Sequence, residues 1–181
     1  MSRVNLVKPS VTFEEIAPQI EKIIKSGIYS NGENINEFSK KISKLTKAKF
    51  CFPTSSATTA LWTCLKILDI KEGDEIIVSD FSYPATVNVI EDLGAKPIFA
   101  DVSIDNFNML PSELEKKISS KTKAVIFVDA LGNPSGINKI NKICKEKNIT
   151  LIEDAACAIG SSELGKKCGS ISDLTCFSPK H

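Results

Sequence analysis

The chain has 181 residues, of which 42% are hydrophobic and 25% are charged, with 23 basic against 22 acidic residues. This length is sufficient for one domain whose core needs no disulfide or metal to stabilise it. The net charge of +1 argues against a protein that binds nucleic acid or a membrane surface, because such proteins carry a basic tail or helix face.

Six cysteines are scattered without a C-x-x-C pair, and the only histidine is His181. No metal site is expected, because zinc sites combine cysteines and histidines at close spacing. Unpaired cysteines in apolar patterns behave as small hydrophobic residues, and they favour a reducing, cytoplasmic setting. No apolar run is long enough to span a bilayer, and the N-terminus lacks the apolar segment of a signal peptide.

The first part of the chain predicts an extended arm over residues 1–12 and then two amphipathic helices. The first helix begins at Thr12 and ends at Gly27, a residue type that often follows a helix. The second helix follows a polar loop, and its apolar side is expected to point inward. The apolar positions are Ile16, Ile20, Ile23 and Ile24 in the first helix and Ile35, Phe38, Ile42 and Leu45 in the second.

A short strand, Phe50–Phe52, is predicted to lead into a turn of small hydroxylated residues and then a helix. This order favours phosphate binding, because free backbone N–H groups and the positive end of the helix dipole face the anion. The turn is neither a Walker A loop nor a dinucleotide loop, since it lacks their glycine patterns. Simple N-capping by Ser55, Ser56 or Thr58 is the alternative interpretation.

From Glu72 onward, strands alternate with helices. The predicted strands are 75–79, 97–101, 124–129 and 150–153; helices are predicted from Ala85, from Pro111 and around Ile137, Ile140, Ile143 and Cys144. Ser112 and Glu115 are spaced as a capping box. The alternation predicts one α/β domain with a mostly parallel sheet and helices on both faces.

Glu153 and Asp154 end the last predicted strand, a buried apolar run that passes into small residues. Ligands of open α/β sheets bind just outside the carboxyl ends of the strands, which marks this pair as a candidate site. Capping of the next segment by Asp154 is the competing interpretation. Two more strand ends carry candidate loops, 79–86 with Tyr83 and 128–134 with a Gly-Asn-Pro turn; a hydrophobic cover is the alternative for the first.

Together these segments resemble the DegT-type sugar aminotransferases, pyridoxal phosphate enzymes of fold type I that act on nucleotide-linked keto sugars. The ordered set covers nearly the whole chain. The matching segments are 8–10 with 26–32, 55–61, 83–88 with 93–97 and 101–102, 131–134, and 153–156 with 169–178.

The resemblance implies a fold type I large domain, with residues 1–181 as the domain that binds pyridoxal 5'-phosphate and residues 1–30 as its arm and first helix. It also implies that the small C-terminal domain of the family is absent, so that the chain is a fragment or a natural truncation. A homodimer is expected by the same analogy.

The resemblance further assigns roles to individual residues. Asp154 contacts the pyridine nitrogen and keeps it protonated, Tyr83 stacks on the ring, and Cys157 packs beside it. Lys180 is the catalytic lysine, which holds the cofactor as a Schiff base and moves the proton. The phosphate is assigned to Ser56, Ala57, Thr58 and Ser178.

Three positions depart from the family's pattern. Cys157 stands where glutamine is frequent, and Asp129 stands where many members have histidine. Lys180 comes two residues after Ser178, whereas the family's lysine comes five residues after the corresponding serine. Either the loop is shortened or the family's lysine lies further along.

The implied function is conversion of a nucleotide-linked keto sugar to an amino sugar in surface-polysaccharide or amino-sugar synthesis, with an amino acid, commonly glutamate, as donor. One alternative is a sugar dehydratase of the same family that uses pyridoxamine phosphate, with histidine in place of the lysine; His181 leaves this open. Another is a non-catalytic domain that binds the cofactor or a partner. A generic nucleotide-binding module explains the sheet but not the ordered motifs.

Overall fold

The computed structural model describes residues 11–179. The predictions for residues 1–10, Lys180 and His181 lie outside the described residues. The helices are α1 (Phe13–Ser26), α2 (Glu33–Thr46), α3 (Ala57–Ile67), α4 (Pro84–Glu91), α5 (Pro111–Lys117) and α6 (Ile137–Lys147). The strands are β1 (Glu75–Ser79), β2 (Lys96–Ala100), β3 (Thr122–Val128), β4 (Thr150–Ala155), β5 (Ser162–Glu163), β6 (Lys166–Lys167) and β7 (Leu174–Phe177).

Five strands form one sheet in the order β2-β1-β3-β4-β7, and each neighbouring pair is parallel. The α/β prediction is therefore confirmed. β5 and β6 form a separate antiparallel pair that the sequence did not predict, because two residues per strand are too few for a period of two to be recognised.

Alternate residues of the strands face opposite layers of helices. Ile77, Val125 and Leu151 pack on one face against α5 and α6, whereas Ile76, Ile126 and Ile152 pack on the other against α3 and α4. This alternation follows from the period of two in a strand. The helix residues in these cores include Leu114, Ile137, Ile140, Ile143 and Cys144 on the first face and Leu61, Leu65, Val89 and Ile90 on the second. The predicted helices on both faces are thus confirmed.

Two local predictions are wrong. Phe50–Phe52 forms no strand, and the side chains of Phe50 and Phe52 are largely exposed; an apolar triplet becomes a strand only beside a partner, and no described strand pairs with it. Ser112 and Glu115 form no capping box, because Pro111 occupies the first turn of α5 and Leu110 is its N-cap.

The two N-terminal helices form as predicted, but their apolar faces are not covered. α1 ends before Gly27, which adopts a φ of +67°, and α1 has no buried residue. In α2 only Thr46 is buried, so the expectation that its apolar side points inward is wrong for the described residues. An amphipathic pattern identifies the apolar face and does not say what covers it. Within residues 11–179, no helix is both long and apolar enough to cross a membrane.

Candidate functional site

Most of the predicted cofactor residues follow the carboxyl ends of parallel strands. Asp154 is paired in register with Val128 on one side and Cys176 on the other, so the end of β4 is level with the ends of β3 and β7. Tyr83 follows β1, whose neighbours β2 and β3 lie on opposite sides of it. Such a change of direction in the strand order is where ligands of open α/β sheets bind. The sheet thus brings Asp154, Cys157, Tyr83 and Ser178 to one edge.

Helix α3 points its N-terminus toward the same edge. The helix precedes the parallel strand β1, so it runs back along the sheet and its first residues lie near the carboxyl ends of the strands. The Ser56 side chain accepts the N–H of Thr59 at 3.1 Å, which confirms N-capping by this residue. The first intrahelical bond joins the Ala60 N–H to the Ser56 carbonyl. The N–H groups of Ala57 and Thr58 precede that bond and remain available to an anion.

Asp154 is a buried carboxylate held by two donors. Its side chain is 5% exposed; Thr86 Oγ1 donates to Oδ2 at 2.8 Å, and the Ala156 N–H donates to Oδ1 at 3.2 Å. Burial raises the pKa of Asp154 above its ordinary value, while the bonds from Thr86 and Ala156 lower it. The Ala156 bond is the local capping contact foreseen from the sequence, but the Thr86 bond fixes the carboxylate across the sheet edge.

Thr86 falls within the 83–88 segment of the family resemblance, but the sequence alone assigns it no role. It lies in the first turn of α4 and is 1% exposed. A threonine that is buried one turn after a strand end has a hydroxyl that must find a partner. That requirement could have identified Thr86 as a residue of the site, although not its partner.

Tyr83 and Cys157 are both exposed at this edge. Tyr83 is the N-cap residue of α4, and its side chain is 76% exposed, so its ring is free to contact a ligand. Cys157 is exposed in the loop after β4. Its carbonyl oxygen lies 2.7 Å from the position that a Cβ on Gly132 would take, and Gly132 has a φ of +82°. Only glycine fits there, so the loops after β3 and β4 touch through their backbones.

Behind the edge, Asp129, Glu153 and Cys168 form a compact buried group. One side-chain oxygen or sulfur atom of each lies within 4.8 Å of the others. Within the described residues, neither oxygen of Asp129 has a hydrogen-bond partner, and Oε1 of Glu153 has none either. Burial, followed by the charge of Glu153, raises the pKa of Asp129 to about 8. Asp129 therefore carries a proton at neutral pH and can share it with Glu153.

The second oxygen of Glu153 is fully satisfied. Oε2 accepts the Gly169 N–H at 3.1 Å, the Ser172 hydroxyl at 2.7 Å and the Thr175 hydroxyl at 3.0 Å. With three donors on Oε2, only Oε1 of Glu153 is left without a hydrogen-bond partner among the described residues. The absence of a metal site stays a prediction. A cation here would have to displace protons from Asp129 and Cys168, whose pKa values burial raises.

Two concavities of the described part of the chain lie away from the candidate site. One concavity of about 390 Å³ lies along α1, and another of about 340 Å³ lies beside the start of α5 and of α6; neither is lined by a predicted cofactor residue. Lys180, predicted as the catalytic lysine, lies outside the described residues. Ser178 is the last predicted cofactor residue before it, directly after β7.

The chain is similar to several sugar-modifying enzymes. It is 36% identical over 178 residues to a GDP-perosamine synthase of Escherichia coli O157:H7, covering 98% of this chain and 49% of that protein. It is 34% identical over 165 residues to a dTDP-3-amino-3,6-dideoxy-alpha-D-galactopyranose transaminase of Aneurinibacillus thermoaerophilus, covering 91% and 46%. The chain thus spans about half the length of the curated relatives it matches.

Solved structures agree with this similarity. The PMP-form of Spr1654 from Streptococcus pneumoniae superposes with a TM-score of 0.91 at 29% identity, over 97% of this chain and 48% of that one. An aminotransferase from Psychrobacter cryohalolentis gives a TM-score of 0.87 at 29% identity, over 93% and 43%. Residues 11–179 match the DegT/DnrJ/EryC1/StrS aminotransferase family. The resemblance inferred from the motifs is confirmed: the chain belongs to the DegT/DnrJ/EryC1/StrS aminotransferase family.

Proposed function

We propose that residues 1–181 form the large, cofactor-binding domain of a pyridoxal-phosphate-dependent aminotransferase. The enzyme transfers an amino group from an amino acid, with glutamate as the expected donor, to a nucleotide-linked keto sugar. The resulting amino sugar serves surface-polysaccharide or amino-sugar synthesis. Family membership and relatives that are named as nucleotide-sugar transaminases support this proposal.

The buried carboxylate of Asp154 is the observation that carries the proposal. A carboxylate that is 5% exposed and has only two hydrogen bonds is costly to ionise unless a cation lies beside it. The protonated nitrogen of a pyridine ring is such a cation, and it would lower the pKa that burial raises. The chemistry of the residue therefore fits the ring of pyridoxal phosphate.

The other end of the cofactor also has donors that fit it. The N–H groups of Ala57 and Thr58 and the dipole of α3 suit a phosphate dianion, and we assign Ser56 and Ser178 to the same group. The solvent-exposed ring of Tyr83 offers an aromatic face to the pyridine ring of the cofactor. Cys157 packs beside the ring, where its thiol is a weak donor.

When bound, pyridoxal phosphate supplies an electron sink for the electron pair left on a substrate carbon after loss of a proton. The residues of this chain bind and orient it. Asp154 holds the proton on the ring nitrogen, and Thr86 fixes the direction of the carboxylate. Lys180 would hold the cofactor through its amine and would move a proton with the same group, which would require a pKa below that of a free lysine.

We also propose a homodimer. Large apolar side chains on the N-terminal helices are exposed, among them Phe13 at 69% and Ile24 at 61% in α1. Patches of this kind mark protein interfaces. Sedimentation at increasing protein concentration measures the oligomeric state directly. A dimer is expected, and a monomer at high concentration would remove this part of the proposal.

The assignment of Lys180 is tested by reduction with borohydride. The purified chain is mixed with pyridoxal phosphate, reduced, digested and analysed by mass spectrometry, beside a Lys180→Arg variant that keeps the charge. One adduct per chain on Lys180, absent from the variant, is expected. Adducts spread over surface lysines in both proteins would contradict the assignment, and reversible binding without any specific adduct would favour the non-catalytic domain.

The reaction is tested separately by adding a nucleotide-linked keto sugar and glutamate and following the sugar product. Formation of an amino sugar with equal formation of 2-oxoglutarate is expected. A deoxy sugar would instead identify the dehydratase chemistry. No product from the unreduced chain with bound pyridoxal phosphate, when the borohydride test has shown a Lys180 adduct, would restrict the proposal to cofactor binding.

A further inference from the structure

Two cysteines that the proposed function does not use meet in the core. Cys64 lies on α3 and Cys176 on β7, 112 positions apart, and their Sγ atoms are 3.6 Å from each other. Cys176 belongs to the core between α3, α4 and the sheet, and the partly buried Cys64 packs against that core. Two sulfur atoms at this separation are in van der Waals contact, so no chain segment has to be brought from elsewhere to join them.

The two thiols differ in exposure and in acidity. Cys64 is partly exposed and Cys176 is buried. The hydrogen bond from Cys176 lowers the pKa of Cys64 against the effect of burial. The same hydrogen bond, followed by burial, raises the pKa of Cys176. Cys64 is therefore the more exposed thiol of the pair and the one whose pKa the contact lowers.

Three other cysteines, Cys51, Cys144 and Cys168, do not combine these features. Burial raises the pKa of Cys51, of Cys144 to about 12, and of Cys168. Since the thiolate is the nucleophile, these thiols react slowly. Cys157 is exposed, so it can react with reagents in solution and must be controlled for.

We propose that Cys64 and Cys176 form a reversible disulfide when the protein meets a peroxide. The Cys64 thiolate attacks one peroxide oxygen, the O–O bond breaks, and hydroxide leaves, which gives a sulfenic acid on Cys64. The hydroxide released in the first step removes the Cys176 proton and forms water. The Cys176 thiolate attacks the Cys64 sulfur, the S–O bond breaks, and hydroxide leaves, which takes up the proton that Cys64 lost on ionising. Two thiols lose two electrons in all, and hydrogen peroxide is reduced to two waters. A small thiol reverses the reaction by exchange.

The bond would join the two elements whose ends carry the predicted phosphate residues. Ser56 caps α3 and Ser178 follows β7. A disulfide has an S–S length of about 2.05 Å, so the two sulfurs must approach each other from 3.6 Å, and we expect α3 and β7 to shift with them. This movement changes the distance between the two sides of the phosphate site. If the proposed function holds, on which this step rests, it alters the affinity for pyridoxal phosphate.

The test does not depend on the cofactor. The reduced chain is treated with hydrogen peroxide, quenched, alkylated and analysed by mass spectrometry, both intact and as an unreduced digest. The expected result is a monomer that has lost two hydrogen atoms, with the peptide of Cys64 linked to that of Cys176 and both peptides released by dithiothreitol. Recovery of both cysteines as alkylated thiols, or of Cys64 as a sulfinic or sulfonic acid without a link, would overturn the proposal.

Two variants isolate the pair. Cys157→Ser removes the exposed thiol and should give the same cross-link, whereas Cys64→Ser should give none; circular dichroism of both checks the fold. A cross-link that persists in Cys64→Ser or disappears in Cys157→Ser would contradict the assignment. Titration of the oxidised and reduced wild-type chain with pyridoxal phosphate then compares their affinities for the cofactor. Equal affinities would overturn the effect on the phosphate site, while the cross-link would still rest on the mass spectrometry.

Discussion

Thr86 Oγ1 donates a 2.8 Å hydrogen bond to Asp154 Oδ2, and this bond links residues 68 positions apart. Both side chains are almost fully buried. The bond joins the first turn of α4 to the end of β4, so it sets the direction of the carboxylate at the edge where the cofactor is proposed to bind. It also lowers the pKa of Asp154 against the effect of burial.

We expect Thr86→Val to weaken pyridoxal phosphate binding by about ten- to a hundredfold, because a hydrogen bond to a charged group contributes about 1.5–3 kcal/mol. Valine keeps the shape of threonine and removes the hydroxyl, so the fold should be retained. Titration followed by cofactor absorbance measures the affinity. Thr86→Ser keeps the hydroxyl and is the matched control; equal affinities in the valine and serine variants would contradict a positioning role.

Asp154→Asn should separate stability from cofactor binding. The amide oxygen can still accept the Ala156 N–H, and the amide NH2 can donate to the Thr86 hydroxyl. The substitution also removes a buried ionisable group, so the free energy of unfolding should be unchanged or higher. Affinity for pyridoxal phosphate should fall by at least about tenfold, because an amide cannot pair with a protonated ring nitrogen. Urea unfolding and cofactor titration measure the two effects. Unchanged affinity would remove Asp154 from the proposed site.

Much of this edge could be predicted from the sequence, because parallel strands align their carboxyl ends. Asp154 and Tyr83 follow recognisable strand ends, and their approach to one edge needs only the strand order. The contact of Thr86 with Asp154 and the grouping of Asp129 with Glu153 depend on side-chain directions across different strands, which no local pattern encodes. Phe50–Phe52 shows the converse case: an apolar segment predicted as a strand forms none, because a strand requires a neighbour.

Gly132→Ala should destabilise the protein by about 1–3 kcal/mol, since alanine at positive φ is strained and its Cβ would meet a fixed carbonyl. That Cβ would lie 2.7 Å from the Cys157 oxygen, and φ at Gly132 is +82°. Gly160→Ala is a matched control, because Gly160 has a φ of +87° with open space around its Cβ position. The difference between the two variants in the free energy of unfolding by urea isolates the contact of the added Cβ with the Cys157 oxygen. Equal losses of stability would mean that backbone strain alone accounts for the effect.

Asp129→Asn should flatten the dependence of stability on pH. The pKa of Asp129 is raised to about 8 in the folded chain, whereas an exposed aspartate titrates at about 3.9. Between these values the folded state binds more protons than the unfolded state. The free energy of unfolding therefore falls as pH rises, by at most about 1.4 kcal/mol per pH unit from this group, and the fall ends above the folded pKa.

Urea unfolding of wild type and Asp129→Asn at several pH values from 5 to 9 measures this slope. The amide cannot ionise beside Glu153, so the variant should gain stability relative to wild type as pH rises toward the folded pKa, and the gain should level off above it. Asp105→Asn removes an exposed carboxyl and should keep the wild-type slope. If Asp129→Asn also keeps that slope, Asp129 is not the buried group that holds the proton, and the shared proton with Glu153 must be abandoned.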